Sequence, residues 1–135
     1  MGEKIRLKSI VWDEAESIPG EPDKNYEERL NYYMPFYKSL EPLFVKKVNA
    51  ILPIIKKSVK FIRKYEKPDE HEIEIRISLG EEKCPYAKEG EVPYHFFELH
   101  IWRVWGNSYC FNIYDVTHSL SVAFLDIEPY ESCVL

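Results

Sequence analysis

The fold of this chain is decided by one stretch: Tyr94-His-Phe-Phe-Glu-Leu-His-Ile-Trp-Arg-Val-Trp105, Gly106-Asn107, Ser108-Tyr-Cys-Phe-Asn-Ile-Tyr-Asp-Val116, Thr117-His118, Ser119-Leu-Ser-Val-Ala-Phe-Leu-Asp-Ile127. Three runs rich in aromatic and β-branched residues are separated by short polar breaks. That pattern predicts an antiparallel meander. The first break allows two registers. A two-residue loop, Gly106-Asn107, sets Trp105 opposite Ser108 and places Glu98 beside Asp115, an unfavourable like-charge pair. A three-residue loop through Ser108 sets Trp105 opposite Tyr109. It also gathers Phe97, Leu99, Ile101, Trp105, Tyr109, Phe111 and Ile113 on one face, and is the preferred register.

With Thr117-His118 as the next two-residue loop, Ile113 falls opposite Val122 and Phe111 opposite Phe124. Leu120, Val122 and Phe124 then join the core face, with Arg103 and Asp115 as charged exceptions expected at its rims. The other face carries Phe96, Glu98, His100, Trp102, Val104, Cys110, Asn112, Tyr114, Ser121, Ala123 and Leu125. An exposed sheet face of mixed aromatic and polar residues is a natural contact surface.

Outward from the meander, Lys4–Trp12 alternates and predicts a first strand, with Ile5, Leu7 and Val11 on one side and Ile10 on the other. Residues 13–22 are acidic and contain Pro19-Gly20, a loop signal. Asn25 with Glu28 resembles a helix start, and Tyr26, Leu30, Tyr33, Met34 and Tyr37 recur at helical spacing. Pro35 is expected to kink or end that helix. Pro42 opens a long helix to about Tyr65, capped by Ser39, with an apolar stripe of Phe44, Val48, Ile51, Leu52, Ile55, Val59 and Ile62. Pro53 on its polar side should bend it. His71–Leu79 reads as a strand with Ile73, Ile75, Ile77 and Leu79 inward. Residues 80–93 form a long loop, a type that is often functional or mobile. The order β-α-α-β-β-β-β predicts one α+β domain over 1–135, a two-layer sandwich whose sheet of about five strands packs on one long amphipathic helix.

Composition narrows the function classes. The 135 residues carry a net charge of −5 and 15% aromatics. Residues 46–67 hold eight Lys or Arg against Glu66 alone, so the rest of the chain is strongly acidic. Such an acidic body disfavours broad nucleic-acid binding. The first residues lack the apolar core of a signal peptide, and no apolar run approaches the ~20 residues of a membrane span. Three scattered cysteines point to a reducing cytoplasm. No cofactor or metal motif stands out.

Candidate sites divide by strand parity. His95 and His100 differ by an odd number and face opposite ways, so they cannot share an ion on a regular strand. Glu98 and His100 share a face and could form an acid–base dyad. Cys110 is expected opposite Val104, roughly 13 Å from His100 at strand rise, as a buried structural thiol. Cys84 is expected to be exposed in its loop. Asp115 and His118 flank a tight turn and suit it. The face of Lys46, Lys56, Lys57, Lys60, Arg63, Lys64 and Lys67 reads as a solvated helix face without interleaved exposed aromatics.

These features favour a non-enzymatic protein-binding module of the bacterial immunity or inhibitor type, cytoplasmic, neutralising a cognate toxin. Its partner would be a protein, such as a basic toxin domain, reached through complementary charge. Neither nucleic acid nor membrane is expected as a partner, and a homodimer is compatible with the same surface. The contact residues would be Glu98, His100, Trp102, Asn112 and Tyr114, with Asp13, Glu14 and Glu16. The alternatives are a small enzyme or ligand-binding domain using Glu98 and His100, and a nucleic-acid or anionic-surface contact through helix 46–67.

Overall fold

The structure, a computed structural model, describes residues 6–12, 24–64, 74–103 and 109–128. These form strand β1 (Arg6–Trp12), helices α1 (Lys24–Ser39), α2 (Glu41–Ala50) and α3 (Leu52–Lys64), then strands β2 (Glu74–Lys83), β3 (Tyr94–Arg103), β4 (Tyr109–Asp115) and β5 (Leu120–Glu128). The strands make one antiparallel sheet in the order β1-β5-β4-β3-β2. The α+β class and the five-stranded sheet agree with the sequence pattern. The helical layer differs: three helices take the place of two.

The break falls at Ile51. Pro53 has no N–H to continue the ladder, and the chain makes a turn there. The Ile51 amide bonds back to Lys47 and Val48, and its carbonyl starts α3 by accepting from Ile54 and Ile55. The apolar stripe survives the break, because Phe44, Val48, Ile55 and Val59 are all fully buried. Ser39 does not cap α2. Leu40 holds that position without a side-chain bond, while the Ser39 hydroxyl donates to the Phe36 carbonyl and closes α1. Pro35, on the exposed side of α1, does not end it; the helix runs on to Ser39. The next amide, Phe36, donates to the Tyr86 hydroxyl at 2.8 Å. Asn25 lies within the first turn of α1 rather than capping it.

In the sheet, Phe97 pairs with Asp115, Leu99 with Ile113, Ile101 with Phe111 and Trp102 with Cys110. The pairing is slid by two residues from the preferred register. A slide of two keeps every side chain on its face, so the predicted face grouping holds while the partners change. Cys110 therefore opposes Trp102, not Val104. Residues 104–108 lie outside the described set. β4 and β5 follow the expected register near their turn, with Asp115 opposite Leu120. A bulge at Ile113/Tyr114 then sets Ile113 against Ala123 and Asn112 against Phe124. The extra residue reverses parity beyond it. Ala123, Leu125 and Ile127 thus join the core, and Phe124 pairs on the opposite face. A second bulge, between Leu7 and Ser9, does the same to β1: Leu7, Ile10 and Trp12 pack inward and Val11 is exposed.

The helices lie on the face carrying Phe97, Leu99 and Ile101. Phe97 receives Phe44 of α2 edge-on at 5.0 Å and Phe36 of α1 at 6.3 Å. Each such fully buried side chain contributes about 2 kcal/mol by leaving water. β2 runs on past the predicted end at Leu79 to Lys83, through a bulge at Gly80 whose φ of +90° suits glycine. The Lys47 ammonium of α2 fills the space beside Gly80, donating to the Leu79 carbonyl at 2.5 Å and facing Glu82 at 3.4 Å. No helix among the described residues is long and apolar enough to cross a membrane.

Candidate functional site

The inner end of β3 and β4 holds a polar cluster inside the core. The Phe97–Asp115 pairing brings the start of β3 beside the turn after β4. The Val116 amide donates to the Phe96 carbonyl, and the Phe96 amide donates to the Thr117 hydroxyl. His95 thereby comes to lie against His118, with ring centroids 4.3 Å apart. Asp115 is fully buried rather than at a rim. Its Oδ2 accepts from the Tyr37 hydroxyl and from His95 Nδ1, both at 2.6 Å, and its Oδ1 accepts the His118 amide at 3.3 Å. These donors take the place of water, which is what a buried carboxylate requires. His95 Nε2 and His118 Nε2 are buried with no hydrogen-bond partner among the described residues.

α1 and the 84–93 loop wall the cluster. Tyr33 packs its ring on both imidazoles, at 4.7 Å from His95 and 4.8 Å from His118, and donates its hydroxyl to Glu91. Burial first, then the Asp115 charge, pushes the Tyr37 phenol far above its ordinary range. Burial and the bond to Glu91 raise Tyr33 likewise. The Tyr33 bond holds Glu91 below the usual carboxylate range. Burial also lowers His118. The loop is pinned at its ends and middle. The Cys84 amide donates to the Pro93 carbonyl at 2.7 Å, and the Tyr32 hydroxyl donates to the Tyr86 carbonyl at 2.7 Å. Cys84 is consequently buried beside these tyrosines, not exposed.

The opposite face holds the residues singled out in the sequence. His100 lies on it, as parity required, with its ring stacked on Tyr114 at 4.8 Å. Its Nδ1 faces Glu74 at 2.9 Å and its Nε2 faces Glu98 at 3.3 Å. Glu98 and His100 are thus brought together as their shared face implied, and Glu74 of β2 joins them at the other ring nitrogen. Cys110 is buried and stands two paired positions from His100 along the sheet, closer than the preferred register implied. The face is less open than an exposed binding surface would be: His100 and Asn112 are 5% and 1% exposed. Trp102 is half-buried, and Trp102 Nε1 and Asn112 Oδ1 find no partner among the described residues. Asp13, Glu14 and Glu16 lie outside the described residues.

What is exposed is the end of that face. Tyr94 and Phe96, alternate residues of β3, are 46% and 41% exposed, and Val116 is exposed beside them. Phe96 pairs with Glu81 of β2, and Glu98 follows two residues on. The sequence reading passed over this edge because it weighted the centre of the face. The signal was present as Tyr94-x-Phe96-x-Glu98. On the helical side, Lys46, Lys57 and Lys60 are exposed, while Lys47 is engaged by β2. Phe61 is also exposed, so an aromatic does interleave the basic face, contrary to expectation. Comparison of the chain with family models, curated proteins and solved structures gave no match.

Proposed function

We propose that this chain is a non-enzymatic protein-binding module of the immunity or inhibitor type, which neutralises a partner by covering it. The supporting observation is the exposed edge at Tyr94, Phe96 and Val116, bordered by the carboxylates of Glu81 and Glu98. Rigid aromatic anchors with a charged rim are the usual makeup of an interface hot spot. The acidic body of the chain suits a basic partner, such as a toxin nuclease domain, since opposite fields speed encounter. Burial of His100 and Asn112 moves the proposed contact from the centre of the face to its end. Glu98 and Tyr114 remain in it.

The test is capture from nuclease-treated host lysate with the tagged chain, read by mass spectrometry, followed by titration of the captured protein. Tyr94→Ala with Phe96→Ala should weaken that partner by about thirtyfold or more, the scale of a hot spot, and leave the circular dichroism unchanged. Equal affinity of the double variant would exclude this edge as the contact.

A further inference from the structure

The cluster under α1 contains two imidazole nitrogens that the described residues leave unsatisfied. Nε2 of His95 and Nε2 of His118 are both buried and unpartnered, and His95 is fully enclosed. A buried polar atom without a partner is unfavourable, and two at one spot point to a shared occupant. One donor atom from each of His95, Asp115 and His118 falls within 4.8 Å of the others.

The chemistry of the three groups specifies that occupant. A carboxylate only accepts, so the 2.6 Å contact with Asp115 places a hydrogen on His95 Nδ1, and in the neutral ring Nε2 then carries the lone pair. A ligating histidine is commonly oriented in this way, its second nitrogen bonded to a carboxylate. Asp115 and Glu91 supply two negative charges, matching a dication, and Tyr33 and Tyr37 hold those carboxylates in place. Arg29, which donates to the His118 carbonyl at 3.0 Å, and Lys88, whose charge acts on Glu91, oppose them.

We propose that His95 Nε2 and His118 Nε2, with Asp115 orienting His95 and supplying negative charge, form a binding site for a divalent transition metal of the zinc class. Two imidazole ligands favour zinc, cobalt, nickel or copper over magnesium or calcium, which take all-oxygen shells. The ion ties the start of β3 to the turn after β4 and satisfies both nitrogens. This assignment is independent of the protein-binding reading and stands if that reading fails.

The full chain, stripped with EDTA, is titrated with Zn²⁺ by calorimetry and with Co²⁺ by visible absorption, with Mg²⁺ as the control ion. The expected result is a single Zn²⁺ per chain, a Co²⁺ ligand-field spectrum, a raised Tm with Zn²⁺, and no Mg²⁺ response. His118→Asn should lower Zn²⁺ affinity at least tenfold and abolish the Co²⁺ spectrum, while Tyr94→Ala should leave both unchanged. Should His118→Asn fail to fold, Tyr33→Phe replaces it; this variant keeps the ring, releases Glu91 and should also weaken Zn²⁺. No saturable Zn²⁺ binding by the native chain overturns the proposal. So does undiminished affinity in the folded variant, which would place the ion on other groups such as His71.

Discussion

His95 and His100 stand five residues apart on one strand and meet opposite surroundings. His95 faces the helices, with one nitrogen on a buried carboxylate and the other without a partner among the described residues. His100 faces away from them, between two partly exposed carboxylates that take both nitrogens. The first is enclosed by Tyr33, Phe36 and Tyr37 and shares Asp115 with a phenol. The second lies flat on Tyr114 at the margin of solvent. Strand parity alone separates them, yet it decides how each can act. A buried, shared carboxylate makes His95 part of the architecture. Solvent near Glu74 and Glu98 weakens what His100 can contribute.

Four substitutions or conditions probe this contrast, from the largest effect to the smallest. Asp115→Ala strips the partner from both the Tyr37 hydroxyl and His95 Nδ1 in the core. It should cost about 3–5 kcal/mol in urea unfolding, the scale of a broken buried pair. A loss below about 1 kcal/mol would mean the cluster is not a structural unit. Tyr37→Phe removes one of the two donors to Asp115 Oδ2 and should cost about 1–3 kcal/mol by the same assay. His100→Gln keeps a polar side chain between Glu74 and Glu98 but loses the stack on Tyr114. Its expected cost is about 1 kcal/mol; a cost equal to that of Asp115→Ala would erase the contrast between the faces.

The fourth is a pH series in chelator-containing buffer. Burial lowers the His118 pKa, reinforced by His95 and Arg29 and opposed by Asp115 and Glu91. The unfolded chain therefore takes up this proton first. The His118 contribution to stability is present above about pH 6.5 and is lost as pH falls below it. His118→Asn should flatten the slope of unfolding free energy between about pH 7 and 5 relative to the native chain. An unchanged slope would show that His118 is not held neutral by the fold.

Some of this was legible in the sequence, and the physical reason is parity. Alternation placed Phe97, Leu99, Ile101, Phe111 and Ile113 together and separated His95 from His100, because any slide by two residues preserves faces. Pairing was not legible to the same depth. It depends on turn geometry near Gly106, and two bulges, after Leu7 and at Ile113, reverse parity in β1 and β5 without a composition signal. The cluster was missed for a related reason. Asp115 and His118 satisfy turn chemistry, as the 3.3 Å bond from the His118 amide confirms, so nothing local marks them as more. Only the true pairing of Phe97 with Asp115 carries His95 to that turn, and only tertiary packing brings Tyr33 and Tyr37 from α1. The i, i+4 spacing of the two tyrosines, polar tips on a buried stripe, was the available hint. Cys84 was misjudged because loop length suggested exposure, whereas Tyr86 anchors the loop into α1.

The pairing of β1 with β5 sets an order of assembly. The hairpins β2–β3, β3–β4 and β4–β5 close between neighbours in the chain. β1 must wait for β5, more than a hundred residues later, before any of its sheet bonds can form. Closing so long a loop carries the largest entropic cost in the topology. On a ribosome, β1 emerges first and remains unpaired until β5 is made. The apolar side chains of Leu7, Ile10 and Trp12 are then the segment most in need of shielding during synthesis.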